Sequence, residues 1–349
     1  MKALFIGGTG NISLDITRLL AKNYSDTWEL YLLNRGNHTE EIPAGVHLLR
    51  GDIGDEAGVA KLLDGMHFDV VANFINFTAD QIERDIRLFS GKTDQYIFIS
   101  SASAYQKPPV HPVITESTPL CNPFWQYSRD KIACEDRLTE EMRRNGFPFT
   151  IVRPSHTYSD KKISVCIHGK KGSWQTVRRI LEGKPVLVPG DGNSLWTLTH
   201  SEDFARGFVG LMGNVHAIGQ AVHITSDESL TWNQIYDALG RALGKEVKKF
   251  PLSTDLLVAC DPEFEGALFG DKSNTVIFDN QKLKQLVPGF HAEIRFDQGI
   301  RRAVEYALTH PELQTPDEEF DAWCDALYEA FCEFPERVAT CGGAKSGQI

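Results

Sequence analysis

Short uncharged apolar runs alternate along this chain with stretches whose apolar positions recur every three or four residues. Ala3-Leu4-Phe5-Ile6 is the first run, and it suits a strand buried on both faces of a parallel sheet. Ile12, Ile16, Leu19 and Leu20 follow at the spacing that lines one face of a helix. The alternation continues, with strands expected over 28–33, 46–50, 68–74, 95–100 and 149–153. Helices are expected over 56–63 and 80–89, and in a longer segment through Ile132, Leu138 and Met142. Strands and helices interleaved at this spacing predict an α/β fold with a doubly wound parallel sheet. Later runs at 185–189 and 221–225 are expected to complete that sheet, with helices over 176–181 and 232–243.

The join between the first strand and the first helix carries chemistry. Gly7, Gly8 and Gly10 make a tight turn that aims unpaired backbone N–H groups and the positive end of a helix dipole at one point, where a pyrophosphate fits. Gly7 and Gly10 match the first two glycines of the dinucleotide fingerprint, and Ser13 stands where the third is usual. Gly7, Gly10, Asn11 and Ile12 are therefore expected cofactor contacts in a Rossmann arrangement. The second strand ends at Asn34-Arg35, with no carboxylate to receive the ribose hydroxyls of NAD or to repel an added phosphate. The cofactor is NAD or NADP, and Arg35 tilts the choice toward NADP; the plainer reading is that Arg35 is a solvated loop charge. Asp52 and Ile53, after the third strand, are placed to touch adenine.

Composition narrows the class. The chain has 349 residues, with 42% hydrophobic and 24% charged positions, ordinary for a globular protein with a large core. Its formal net charge of -11 disfavours nucleic-acid binding, which rests on clustered Lys and Arg. No apolar run approaches the ~20 residues that cross a bilayer, and no secretory leader is visible. The seven scattered cysteines form no C-x-x-C pair, so reduced thiols and a cytoplasmic location are expected, without a metal site.

The strand over 95–100 runs into Ser100-Ser101-Ala102-Ser103-Ala104-Tyr105, and hydroxyls at the carboxyl end of a central strand lie in the ligand crevice of an open α/β sheet. Further on, Tyr127 and Lys131 stand four apart on one helical face. An ammonium beside a phenol favours the phenolate, which would draw the tyrosine below its ordinary pKa of ~10.

The ordered set GGTGNIS, SSASAY and YSRDK resembles the short-chain dehydrogenase/reductase superfamily, specifically its extended branch, the NAD-dependent epimerase/dehydratase family, over about residues 1 to 240. The resemblance implies that Ser101 hydrogen-bonds the substrate oxygen and Tyr127 passes the proton. It also implies that Lys131 binds the nicotinamide ribose, and that the residues after Pro154 contact the nicotinamide and begin the substrate pocket. Residues 1–160 would form the NAD(P)-binding domain and 161–335 mostly a smaller C-terminal substrate-binding region, with 336–349 a disordered tail. His156 stands where nucleotide-sugar enzymes commonly carry asparagine, and is either a second proton-transfer group or a structural hydrogen-bonder. Trp196 stands where those enzymes place a pyrophosphate-gripping arginine, so a flat uncharged ligand stacking on the indole is expected; Ser103 is a further substrate candidate. Thr199 or Ser201 is the expected entry to the helix that follows.

The expected activity is a sugar or nucleotide-sugar epimerase or dehydratase; the alternatives are an NADPH-dependent carbonyl or keto-sugar reductase and, third, a non-catalytic cofactor-sensing or RNA-binding relative. A small sugar-like substrate and a possible homodimer are the expected partners. Thr315-Pro316-Asp317-Glu318-Glu319 reads as a helix start with proline in the first helical position, followed by an apolar stripe of Phe320, Trp323, Leu327, Phe331 and Phe334.

Overall fold

The computed structural model describes residues 1–37 and 41–341. Seven strands form one parallel sheet: β1 (Lys2–Ile6), β2 (Glu29–Asn34), β3 (His47–Arg50), β4 (Val70–Asn73), β5 (Tyr96–Ile99), β6 (Phe149–Pro154) and β7 (Ala221–Ile224). They lie in the order 3-2-1-4-5-6-7, so the chain runs outward from β1 to β3, then returns beside β1 and builds the other half. The reversal between β1 and β4 opens a crevice at the carboxyl ends of the strands, where such sheets bind ligands.

Both faces are covered, which explains the uncharged runs. On one face α1 (Ser13–Asn23) and α6 (Ser201–Leu211) pack Ile16, Leu20, Phe204 and Phe208 over Phe5, Leu32, Ala72 and Ile97. On the other, α2 (Glu56–Leu62), α3 (Ala79–Phe89) and α4 (Gln126–Asn145) set Val59, Ile82, Phe89 and Leu138 over Leu4, Val71 and Phe98. Successive strand residues point to opposite faces, so neighbours such as Leu4 and Phe5 serve different cores.

A third core gathers the C-terminal region. It joins α5 (Trp174–Leu181), α7 (Trp232–Leu243), α8 (Phe296–Thr309) and α9 (Glu318–Cys341) around Trp232, Ile235 and Tyr236. The run at Val186–Pro189 belongs here and not to the central sheet: it pairs with Lys249–Leu252 in a separate two-stranded ribbon. Its apolar character marks burial, and burial alone does not say against which partner.

Two helix starts also differ from expectation. His200, not Thr199 or Ser201, precedes α6, and its Nδ1 accepts the N–H of Glu202 at 3.2 Å. Helix α9 begins at Glu318, with Pro316 outside it; the Asp317 carboxylate accepts the N–H of Phe320 at 3.3 Å. Buried Arg179 and half-buried Lys184 hold α9 through Asp321 and Asp325 at 2.7 to 2.8 Å. Phe320 is buried and Trp323 and Leu327 pack on the body, whereas Phe331 and Phe334 are exposed. Residues 336–341, expected in a disordered tail, continue this helix; 342–349 lie outside the described residues. Among the described residues no helix is long and apolar enough to cross a membrane.

Candidate active site

The glycine turn is shaped by close approach. Gly7 has φ of 82°, and a Cβ there would meet the Ile75 side chain at 2.6 Å, so only glycine fits. Ser13 does more than replace a glycine: its hydroxyl donates to the Gly7 carbonyl at 2.6 Å and accepts the Gly10 N–H at 2.9 Å, stapling the loop. Asn11 reaches the segment after β6, donating to the Thr157 carbonyl at 3.2 Å and accepting from the Ser159 hydroxyl at 2.7 Å. The backbone N–H groups of Asn11 and Ile12 find no acceptor among the described residues. A narrow glycine turn with two free donors at the start of α1 suits a pyrophosphate.

Two cavities meet at Gly7 and Ile75. The first, of about 450 Å³, lies beyond the ends of β2 and β3 and is lined by Asn34, Arg35, Asp52 and Ile53. Arg35 is exposed at its edge, and Arg84, on α3, lines it too but is paired with Asp85 at 2.7 Å. The second, of about 590 Å³, is lined by Gly10, Asn11, Ile12, Ser101, Tyr127 and Pro154, with Ser103, His156 and Trp196 farther in. The residues expected at an adenosine end and those expected at a reacting end thus sit on adjoining hollows.

Lys131 is nearly inaccessible, and its ammonium donates to the carbonyls of Asn76 at 2.5 Å and Ile99 at 2.8 Å. It lies 5.7 Å from the Tyr127 ring centre, and also against Phe77 and Phe98. Burial pulls this lysine down to about 8. Tyr127 differs from the sequence expectation: burial pushes its phenol above the ordinary value, and the neighbouring Ser101 hydroxyl only partly opposes the rise. Taking a phenolate out of water costs more than the ammonium, turned toward two carbonyls, returns.

A chain of hydroxyls sets Ser101. Asn122 Nδ2 donates to the Ser128 hydroxyl at 3.2 Å, Ser128 donates to Ser103 at 2.8 Å, and Ser103 lies 2.9 Å from Ser101. Asn122 is itself held by donating to the carbonyls of Ser103 and Gly270, both at 2.7 Å. The two Asn122 Nδ2 hydrogens are shared among three acceptors, the Ser128 contact being the longest, and the Ser128–Ser103–Ser101 run fixes where the Ser101 hydroxyl sits. Ser103 lines the cavity but spends its hydroxyl in this chain. Asn122 and Ser128 were invisible as site residues because nothing in their spacing separates them from ordinary polar positions.

His156 lies in a short strand paired with Leu198–His200. Its Nε2 is buried with no hydrogen-bond partner, and burial holds the imidazole well below its ordinary pKa, so it is neutral near pH 7. Trp196, expected to stack on a ligand, lines this cavity, but it is only 3% exposed and lies against Trp232 at 6.1 Å between ring centres. The far wall comes from a segment the sequence did not mark, a π-helical turn over Leu268–Lys272 that brings Asp271 and Lys272 into the cavity. Lys162 and His168 complete that wall. Among the described residues no cluster of side chains is arranged to hold a metal ion.

The family model for the NAD dependent epimerase/dehydratase family matches residues 3–225. Among curated proteins, the 2'-dehydrokanamycin reductase of Streptomyces kanamyceticus is 24% identical over 314 residues, covering 88% of this chain and 84% of that protein. The chloroplast stem-loop binding protein of 41 kDa b of Arabidopsis thaliana is 26% identical over 256 residues, covering 70% of this chain and 63% of that protein. Among solved structures, the UDP-glucuronic acid 4-epimerase of Bacillus cereus, in complex with UDP-glucuronic acid and NAD, superposes with a TM-score of 0.70 at 20% identity. That match covers 88% of this chain and 99% of the other.

Proposed function

This chain belongs to the NAD dependent epimerase/dehydratase family, and from that premise we propose that it oxidises or reduces a carbinol or carbonyl carbon of a sugar-like substrate, in an epimerase or dehydratase type of reaction. The observation that carries the reading is that Ser101 and Tyr127 line one cavity whose other end is the glycine turn, with the Lys131 ammonium 5.7 Å from the Tyr127 ring centre. When bound, NAD(P) supplies a nicotinamide that takes up or gives back a hydride. Gly7, Gly10 and the N–H groups of Asn11 and Ile12 would hold its pyrophosphate, with Asn34, Arg35, Asp52 and Ile53 around the adenosine.

The protein's own part is proton transfer. Tyr127 holds a proton firmly in its buried state and gives it to, or takes it from, the substrate oxygen. Ser101, oriented by Ser103, Ser128 and Asn122, donates a hydrogen bond to the same oxygen, so it stabilises the developing negative charge. Lys131 places a positive charge beneath the phenol. In this reading its ammonium leaves one of its two carbonyls for the ribose of the cofactor.

A second reading, net reduction with NADPH, draws support from one observation: Arg35 is exposed at the adenosine cavity and forms no ion pair among the described residues. Incubation of the protein with a metabolite pool and each cofactor in turn, read by mass spectrometry and absorbance at 340 nm, separates the two. Isomerised product with no net change of cofactor supports the epimerase; stoichiometric loss of NADPH supports the reductase. Tight RNA binding with a steep salt dependence, and no turnover, would overturn both.

A further inference from the structure

Two ammonium groups line the reacting cavity in a chain that carries 47 acidic against 36 basic side chains. Lys162 and Lys272 stand there beside the imidazoles of His156 and His168, and Asp271 is the one carboxylate among the lining residues. Several other lysines are answered by carboxylates, among them Lys161 by Glu41, Lys170 by Glu263, Lys249 by Asp237 and Lys284 by Asp227. No carboxylate lies within ion-pairing distance of Lys162 or Lys272 among the described residues, and neither ammonium has a hydrogen-bond acceptor there. Lys272 is buried, whereas Lys162 is an exposed residue that leans into the hollow.

These charges feel one another. Burial lowers Lys162, His156 and His168, and the charge of Lys272 adds to each of these shifts, as that of Lys162 adds to both imidazoles. Lys107, buried behind Trp196 with its ammonium 5.9 Å from the indole centre, shares Asp271 with Lys272. Lys107 and Lys272 draw on the one carboxylate Asp271, and Lys162 has none, which leaves positive charge without a partner. Burying an ammonium such as that of Lys272 with no carboxylate paired to it is costly for a folded chain unless something arrives to neutralise it.

We propose that the substrate carries an anionic group, a carboxylate or a phosphate, and that Lys162 and Lys272 receive it at the wall of the cavity facing Tyr127. This rests on the reading of the cavity as the substrate site of a redox enzyme. Ammonium groups suit the role as point charges that meet an anion without the fixed two-pronged geometry of arginine. The neutral imidazole of His156, with its unpartnered Nε2, can add a hydrogen bond to the same group.

The test uses the full chain loaded with NADP, with binding of glucose, glucuronate and glucose 6-phosphate followed by calorimetry and tryptophan fluorescence. The two anionic probes should bind at least 10-fold more tightly than glucose, the preference should weaken as salt rises, and the tighter of the two names the group. Lys162→Gln should remove most of the preference; Lys272→Arg should keep it, and Lys272→Gln, provided it folds, should lose it. NADP affinity should stay unchanged in every variant. Equal affinity for neutral and anionic probes, or an anionic preference that persists in Lys162→Gln and Lys272→Gln alike, overturns the proposal. Lysine-dependent anion binding without any NAD(P) binding would instead keep the anion site and sink the redox reading.

Discussion

The Lys131 ammonium lies 5.7 Å from the centre of the Tyr127 ring, yet it donates its hydrogen bonds to the carbonyls of Asn76 and Ile99. Its charge is therefore tied to the sheet end and only leans on the phenol. Replacing Tyr127 by phenylalanine should lower kcat by about 10²–10⁴-fold, the usual range for a lost proton-transfer group. Cofactor dissociation constants should change less than twofold, because the glycine turn is untouched. Full activity in Tyr127→Phe would show that the proton travels by another route.

The same lysine makes a pH prediction. Its folded pKa of about 8 lies below its unfolded value, so between about pH 8 and 10.5 the unfolded chain binds more protons. Stability of the cofactor-free protein should therefore rise with pH through that window, and the cost of holding a charged lysine should be fully present below it. The rise is on the order of 3 kcal/mol if nothing else titrates. Lys131→Met should flatten that part of the curve of urea midpoint against pH; an unchanged slope would assign the titration elsewhere.

His156 gives the complementary behaviour in acid. Burial holds its imidazole well below 6.5, so as pH falls below 6.5 the unfolded chain gains a proton that the folded one resists. Stability is present above 6.5 and is lost as pH falls toward the folded pKa. His156→Gln should reduce the acid slope measured by thermal melts between pH 5 and 6.5. The variant should keep more than a tenth of the wild-type kcat if the imidazole serves by hydrogen bonding alone, and a pH–rate profile that loses an acidic limb would contradict this.

Arg35 should set cofactor preference. A charge-assisted hydrogen bond is worth about 1.5–3 kcal/mol, so Arg35→Asp should weaken NADP by about 10–100-fold and leave NAD equal or better. Titration of protein fluorescence with each cofactor measures both constants. If neither moves, Arg35 is a solvated loop charge.

The strand ends that present Ser101 rest on a buried pair. Arg153 donates to Glu135 at 2.5 and 3.0 Å, the Ser100 hydroxyl donates to the same carboxylate at 2.5 Å, and the guanidinium lies 4.8 Å from the Tyr105 ring. Removing one member leaves the other charge buried and unanswered, so Glu135→Ala should cost about 3–5 kcal/mol. A loss under 1 kcal/mol by urea titration would mean that water reaches the site.

By itself the sequence determined the sheet. Uncharged runs such as Ala3–Ile6, interleaved with helix-period segments, fit a parallel layer covered by helices on both faces, and the glycines at 7 and 10 mark where that layer meets a helix. It also set Tyr127 and Lys131 on one helical face, because a separation of four is a local property of the helix. The tertiary structure alone decided what those side chains do with their neighbours. Phenol and ammonium respond to burial and to carbonyls from Asn76 and Ile99, which no spacing along α4 reveals. The same holds for Trp196, whose indole was read as a free face and packs on Trp232, and for the run at Val186–Pro189, which found Lys249–Leu252 instead of the central sheet. Lys162 and Lys272 are 110 positions apart in sequence and share one wall only because a π-helical turn folds back over the cavity. Periodicity records which positions are buried, and partner, orientation and charge balance emerge when distant segments close on one another.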